Sequence, residues 1–217
     1  MKAVRVIADA KLSWDDVPTP VPAAGEVLIK VQATAINRAD LMQRMGLYPP
    51  PPGASDVMGL ECAGTIAAVG DGVTRWKEGD EVCALLSGGG YAQFAVAPEG
   101  SVLPVPQGLT MAHAACLPEV FATAYLNMYI EANLQQGEKV ILHAGASGVG
   151  TAGIQLAKAF GNPSFVTAGG DDKIQACVDL GAEAGANRKT ERFLEKASTF
   201  AGDSGVDLIL DPVGGGY

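Results

Sequence analysis

The sequence predicts an α/β protein in two parts. An antiparallel, barrel-like β domain spans residues 1–112, and a parallel sheet flanked by helices spans 113–217. Three observations carry this reading. The first half shows period-two apolar alternation broken by glycine turns, and the second repeats strand, helix, strand. Where one of those strands passes into a helix stands the turn His143-Ala144-Gly145-Ala146-Ser147-Gly148-Val149-Gly150.

In the β domain, VRVI at 4–7 opens the pattern, and EVLIKVQATAI at 26–36 places Val27, Ile29, Val31, Ala33 and Ala35 on one face of a half-buried strand. CAGTIAAVG at 62–70, DEVCALL at 80–86 and AQFAVA at 92–97 repeat that character, with GDGV, KEGD and SGGG as the turns between strands. GLYPPPPG at 46–53 lacks ladder donors and predicts a stiff, exposed loop.

The texture changes near residue 111, where MAHAACLPEVFATAYLNMYIEAN reads as helix. Strands are then expected at 139–145, 164–169 and 206–214, with helices at 148–160, 171–181 and 190–202 and a short segment EAGAN between the last two. Strand, helix, strand in series makes a parallel sheet. In the helix after the glycine turn, Val149, Ala152, Gly153, Leu156, Ala157 and Phe160 share one face and should pack on that sheet.

With 48% hydrophobic and 18% charged residues, the chain can bury a sizeable core. Its 28 glycines are nearly double the roughly 7% of average usage, which points to tight turns and close backbone approaches. A net charge of −9 and the lack of a basic stripe argue against nucleic acid as a partner. No apolar run suits a signal peptide or a membrane span, so the expected location is cytoplasmic. Cys62, Cys83, Cys116 and Cys177 have no CxxC spacing and read as buried free thiols, and the two histidines, His113 and His143, are too few for a His-rich site.

The glycine turn is the feature with chemistry in it. GVGTAG satisfies GxGxxG at 148, 150 and 153 on a strand-to-helix turn. Unpaired amides and the positive dipole end of that helix suit a pyrophosphate, so Ala146, Ser147, Gly148, Val149 and Gly150 are the expected dinucleotide contacts. An acidic side chain at the tip of the next strand would favour NAD. Here the strand ends at Gly169 and Gly170, and Lys173 and Arg188 are placed to meet the 2′-phosphate of NADPH. Asp171 and Asp172 would repel that phosphate unless they turn away as helix caps. Plain solvated charge is the simpler reading of Lys173 and Arg188.

The segments EVLIKVQATAINRADLMQRMGLYPPPPGA, GLECAGTIAAVG, LPEVFATAY and HAGASGVGTAGIQLAK together resemble the quinone oxidoreductase branch of the medium-chain dehydrogenase/reductase superfamily. The run NRADLMQRMGLYPPPPGAS resembles its stress-inducible members. The resemblance implies a GroES-like catalytic domain joined to a Rossmann domain, with the nicotinamide in the cleft. Zinc-dependent relatives carry Cys and His ligands where this chain has Asn37 and Leu60, which implies zinc-free chemistry, because neither an amide nor an isobutyl group replaces thiolate or imidazole. Asn37 and Tyr48 are the implied contacts to nicotinamide or acceptor, and Thr123 a contact near the nicotinamide ribose or ring. An Asn in a turn, a Tyr pinned by prolines and a helix Thr bonded to its own backbone are the plainer readings. Asp40 and Glu61 read as structural hydrogen-bond partners.

The implied activity is NADPH-dependent reduction of a quinone. An enone reductase shares the same cleft. Relatives are expected to continue through two further Rossmann strands, so that this chain reads as C-terminally truncated, with its fourth parallel strand left as an edge. A homodimer is implied for the full-length protein. An NADPH-binding protein without turnover, and a structural or RNA-associated role, stand as rivals from other classes.

Overall fold

The computed structural model describes residues 1–214. The chain divides into two compact units, Met1–Glu119 and the residues from Val120 onward.

In the first unit, β1 (Lys2–Ile7) and β2 (Lys11–Asp16) form an antiparallel hairpin. Next come β3 (Glu26–Thr34), helix α1 (Arg38–Arg44), β4 (Glu61–Val69), β5 (Glu81–Leu85), β6 (Phe94–Pro98) and β7 (Val102–Pro104). The last five strands make one antiparallel sheet in the order β6-β3-β4-β5-β7. Alternation in β3 puts Val27 and Ile29 in the core with Ile66, Val82, Ala84 and Val102. Register shifts at Leu28/Ile29 and Val31/Ala33 bend the β3–β4 pair and curl the sheet. The polar hairpin strand β2 and the three-residue β7 carry little apolar periodicity, and their ladders rather than their own sequences hold them. The proline loop is exposed, as its composition requires.

The helix expected from residue 111 is broken. A four-residue helix α2 (Met111–Ala114) stays with the β-sheet, because Ala114 and Ala115 fill against Ala63 and Cys83. Pro118, which cannot continue a preceding helix, opens α3 (Pro118–Tyr125). This helix loosens into a π-helical turn at Leu126–Glu131. The division between units therefore falls after Glu119, not at 112. Cys62, Cys83 and Cys177 are buried free thiols, but Cys116, expected with them, is exposed on the turn after α2.

The second unit continues with β8 (Val140–Leu142), α4 (Gly148–Phe160), β9 (Ser164–Ala168), α5 (Asp171–Leu180), β10 (Ala184–Asn187), α6 (Phe193–Ala201) and β11 (Leu208–Leu210). All four strands are parallel, in the order β10-β9-β8-β11. This is the 3-2-1-4 arrangement of a doubly wound sheet. The segment EAGAN supplies its third strand. On α4 the expected face is correct for Ala152, Gly153 and Ala157, with Val149 and Leu156 partly buried. Phe160 is instead 46% exposed, while Ile154 is fully buried. The buried stripe is wider and turned from the one the pattern suggests, because α4 packs on Met128 of the π-helical turn as well as on Leu142 of β8.

One glycine decides how closely β3 and β4 meet. A Cβ at Gly64 would drive into the carbonyl of Lys30, on backbone that cannot swing aside. Gly64→Ala is expected to cost about 1–3 kcal/mol by forcing the bulged strands apart, read as a lower midpoint in urea unfolding with the slope unchanged.

Candidate functional site

The glycine turn is built by contacts that exclude side chains. Ala144 adopts a left-handed conformation, φ 54°, and ends the strand after Leu142. The Gly145 amide donates to the Thr167 carbonyl at 2.9 Å, and a Cβ at Gly145 would stand 2.6 Å from Cβ of Val166. At Gly150 a Cβ would lie 2.5 Å from the Ala144 carbonyl oxygen and 2.6 Å from that of Gly145. Only glycine lets the first turn of α4 rest on the strand end. Gly153 needs less room, since its nearest neighbours are the Leu142 methyls at 3.3 and 3.4 Å. The critical close approaches are therefore at 145 and 150.

Ser147 is the N-cap of α4, and its Oγ accepts the Gly150 N–H at 3.1 Å. That bond uses the hydroxyl as an acceptor and leaves its O–H able to donate. The first-turn amides of Gly148 and Val149 are left as the orphan donors of the helix, beside Ala146. A pyrophosphate needs such a cradle, so these residues fit the group that the turn predicts. His143, next to the turn, is buried, with Nδ1 2.9 Å from the Thr167 Oγ1 and its ring edge-on to Phe193. Burial pushes its pKa down, against a smaller opposing pull from Asp211.

At the tip of β9, Gly169 faces the start of the loop after β10. A Cβ there would meet Lys189 Cε at 3.4 Å and the Arg188 guanidinium at 3.8 Å. Arg188 is also anchored by its own amide, which donates to the Ala168 carbonyl at 3.0 Å. Lys173 is exposed one turn into α5. Among the described residues, Lys173, Arg188 and Lys189 take part in no ion pair. Lys189 was missed by the sequence reading, though the run Asn187-Arg188-Lys189 at a strand end is its signal.

The two acids do not turn away as caps of α5, the one arrangement named above that would spare a phosphate their charge. Its N-cap is Gly170, with no side-chain cap bond. Asp171 Oδ1 instead accepts from Asn187 Nδ2 at 2.7 Å, and Asp172 Oδ1 lies over Gly170, where a Cβ would come within 2.5 Å of it. Asn187 is buried at the end of β10 and drew no attention in the sequence, since a lone Asn after a small-residue run looks like a turn signal.

The first unit holds a separate buried polar network. Asn37, the N-cap of α1, donates through Nδ2 to Glu61 Oε1 at 2.7 Å, and its backbone N–H donates to Asp40 Oδ2 at 2.7 Å. Glu61 Oε2 accepts the Glu119 N–H at 2.9 Å. Asp40 and Glu61 are thus hydrogen-bond partners, Glu61 of the Asn37 side chain and Asp40 of its backbone. Tyr91 donates its hydroxyl to the Ala35 carbonyl at 3.2 Å, and burial, with Asp40 nearby, pushes its pKa up. Burial also pushes the Cys62 thiol up to about 12, which leaves it no thiolate at neutral pH. Tyr48 is 43% exposed beyond α1, and Thr123 lies on α3 in the second unit, its carbonyl accepting from Asn127 Nδ2 at 2.8 Å. Asn37 and Tyr48 share the first unit, whereas Thr123, the glycine turn and the basic loop share the second.

Glu61 makes a pH-dependent contribution. Burial raises its pKa, the hydrogen bonds from Glu119 and Asn37 lower it by less, and the charges of Glu119 and Asp40 raise it further. Its folded-state pKa exceeds the unfolded one, so the favourable contribution is complete below the unfolded pKa and is lost as pH rises through the folded one. Unfolding free energies of wild type and Glu61→Gln, measured in parallel from pH 4 to 8, should differ in slope, the wild type losing stability relative to the variant as pH rises.

Residues 23–107 match the alcohol dehydrogenase GroES-like domain family, and 148–217 match the zinc-binding dehydrogenase family. Quinone oxidoreductase of Rattus norvegicus is 35% identical over 216 residues, 97% of this chain and 66% of the relative. The CurK enoyl reductase structure superposes with a TM-score of 0.88 at 32% identity, covering 99% of this chain and 68% of that one. The quinone oxidoreductase of Thermus thermophilus, solved also in complex with NADPH, gives a TM-score of 0.81 at 32% identity, with the same coverage. The chain therefore spans just under two thirds of the length of the curated quinone oxidoreductases it matches. Its two matched domains, their order and these relatives agree: the chain belongs to the medium-chain dehydrogenase/reductase superfamily, in the branch that holds the quinone oxidoreductases.

Proposed function

We propose that the chain is the dinucleotide-binding and catalytic body of a zinc-free, NADPH-dependent quinone oxidoreductase. The observation that carries the cofactor choice is the Arg188–Lys189 pair in the loop after β10, without ion-pair partners among the described residues, set against Gly169 at the tip of β9, the strand beside β8 and its glycine turn. A 2′-phosphate is a charged, multidentate acceptor for such a pair, whereas a bare 2′-hydroxyl offers only a neutral, weaker one. Gly148 and Val149 offer amides to the pyrophosphate, Ser147 can donate its hydroxyl, and Ala146, Gly150 and Gly170 keep the path clear of large side chains. Thr123 is assigned to the nicotinamide end. When bound, NADPH supplies a hydride from its nicotinamide C4.

Asn37 and Tyr48 are assigned to the nicotinamide or the acceptor. Asn37 keeps one side-chain N–H beyond the bond to Glu61, enough to orient a carboxamide or to polarise a carbonyl. A quinone needs little more, since it is electrophilic and becomes aromatic on reduction. The amide of Asn37 is already committed to a carboxylate where zinc-dependent relatives place a thiolate, and this supports metal-free chemistry. Reduction of an enone is the second reading, favoured by the similarity to the CurK enoyl reductase. For the whole protein we assign a cytoplasmic location and a homodimer; no helix among the described residues is long and apolar enough to cross a membrane.

Steady-state NADPH oxidation with ortho- and para-quinones and with α,β-enones tests the activity. Turnover of quinones in preference to enones, unchanged after dialysis against a chelator, is expected, and loss of turnover on chelation would refute the metal-free reading. Arg188→Ala should weaken NADPH binding about tenfold and leave NADH binding unchanged, as read by quenching of protein fluorescence.

A further inference from the structure

The basic loop works only if its cations stay unpaired, and the fold brings two carboxylates to the same edge, Asp171 against Asn187 and Asp172 over Gly170, next to the Gly169 that Arg188 and Lys189 face. Asp171 and Asp172 open the helix that follows Gly170, yet among the described residues neither forms an ion pair with Lys173, Arg188 or Lys189. For Asp171 the reason is visible. Asn187 is buried at the end of β10 and uses both ends of its carboxamide, Nδ2 donating to Asp171 Oδ1 at 2.7 Å and Oδ1 accepting the Lys189 N–H at 3.1 Å. A carboxylate can only accept and a backbone N–H can only donate, so these two partners fix the orientation of the amide. The Asn187 backbone is held as well, its N–H donating to Glu191 Oε2 at 2.8 Å and its carbonyl accepting from Thr190 and Glu191. Glu191 is in turn occupied by Lys196 at 2.6 Å.

One side chain therefore binds the acid and shapes the loop that carries the cations. We propose that Asn187 is a positioning residue: by holding Asp171 it keeps that carboxylate from neutralising Arg188 and Lys189, and so sets the preference for a 2′-phosphorylated dinucleotide. The inference rests on the NADPH reading above. Asp172, which lies over Gly170, is not held by Asn187 and forms a constant background.

The experiment compares dissociation constants of the full chain for NADPH and NADH, in wild type, Asn187→Ala, Asp171→Asn, the double variant and Asp172→Asn. Asn187→Ala should weaken NADPH roughly fivefold, the scale of one exposed ion pair, and leave NADH nearly unchanged. Removing the released charge in the double variant should restore NADPH affinity. Asp172→Asn should act to the same extent with or without Asn187. If Asn187 only shaped the loop, the double variant would remain as weak as Asn187→Ala, and the proposal would be overturned while the NADPH reading stood. A wild type that binds both dinucleotides equally would overturn both. An unchanged NADPH affinity in Asn187→Ala would remove the role of Asn187 alone.

Discussion

Helix α4 rests on the end of β8 at a distance that no side chain permits, and the rest of the second unit is arranged around that contact. Carbonyls of Ala144 and Gly145 lie where a Cβ of residue 150 would be, so the first turn of the helix sits directly on the strand end. Its orphan amides are thereby delivered to the carboxyl edge of the parallel sheet, where doubly wound folds bind their ligands. The left-handed Ala144 and the Ser147 cap hold the turn open without covering those amides. Leu142 and Met128 close over Gly153 and hold the middle of the same helix.

The edge of the sheet at the β9 tip depends on a second, polar constraint. The β9 tip is bare glycine, so whatever stands beside it decides the electrostatics. Arg188 and Lys189 supply positive charge, and Asn187 holds one of the two nearby acids. In the first unit, Glu61 has an analogous task for Asn37, holding one amide hydrogen with its own second oxygen on the Glu119 backbone. Both arrangements bury a polar side chain with partners at each end, which fixes its orientation.

Much of the fold was legible because the relevant signals are local. Alternation in β3 identified Val27 and Ile29 as core, and the expected bounds of α4, 148–160, are those observed. Errors arose where tertiary contacts decide. Ile154 is buried and Phe160 half-exposed because α4 has packing partners on two sides, which a single-face pattern does not express. Helix α2 looked like the start of a new domain, but its alanines are small enough to fit against Ala63 and Cys83. In the site, backbone geometry was readable from glycines, whereas side-chain pairing was not. Capping was the only role the local sequence offered Asp171 for turning aside, and it instead crosses to Asn187, a partner 16 residues away on a neighbouring strand.

The central claim is that the α4 N-terminus grips a pyrophosphate through backbone amides that close glycine packing leaves exposed. Titration of the 15N-labelled chain with NADPH, followed by backbone amide shifts, tests it most directly. The account predicts saturable shifts largest at Gly148 and Val149, accompanied by Arg188 and Lys189. Saturable binding that leaves Gly148 and Val149 unmoved would contradict it.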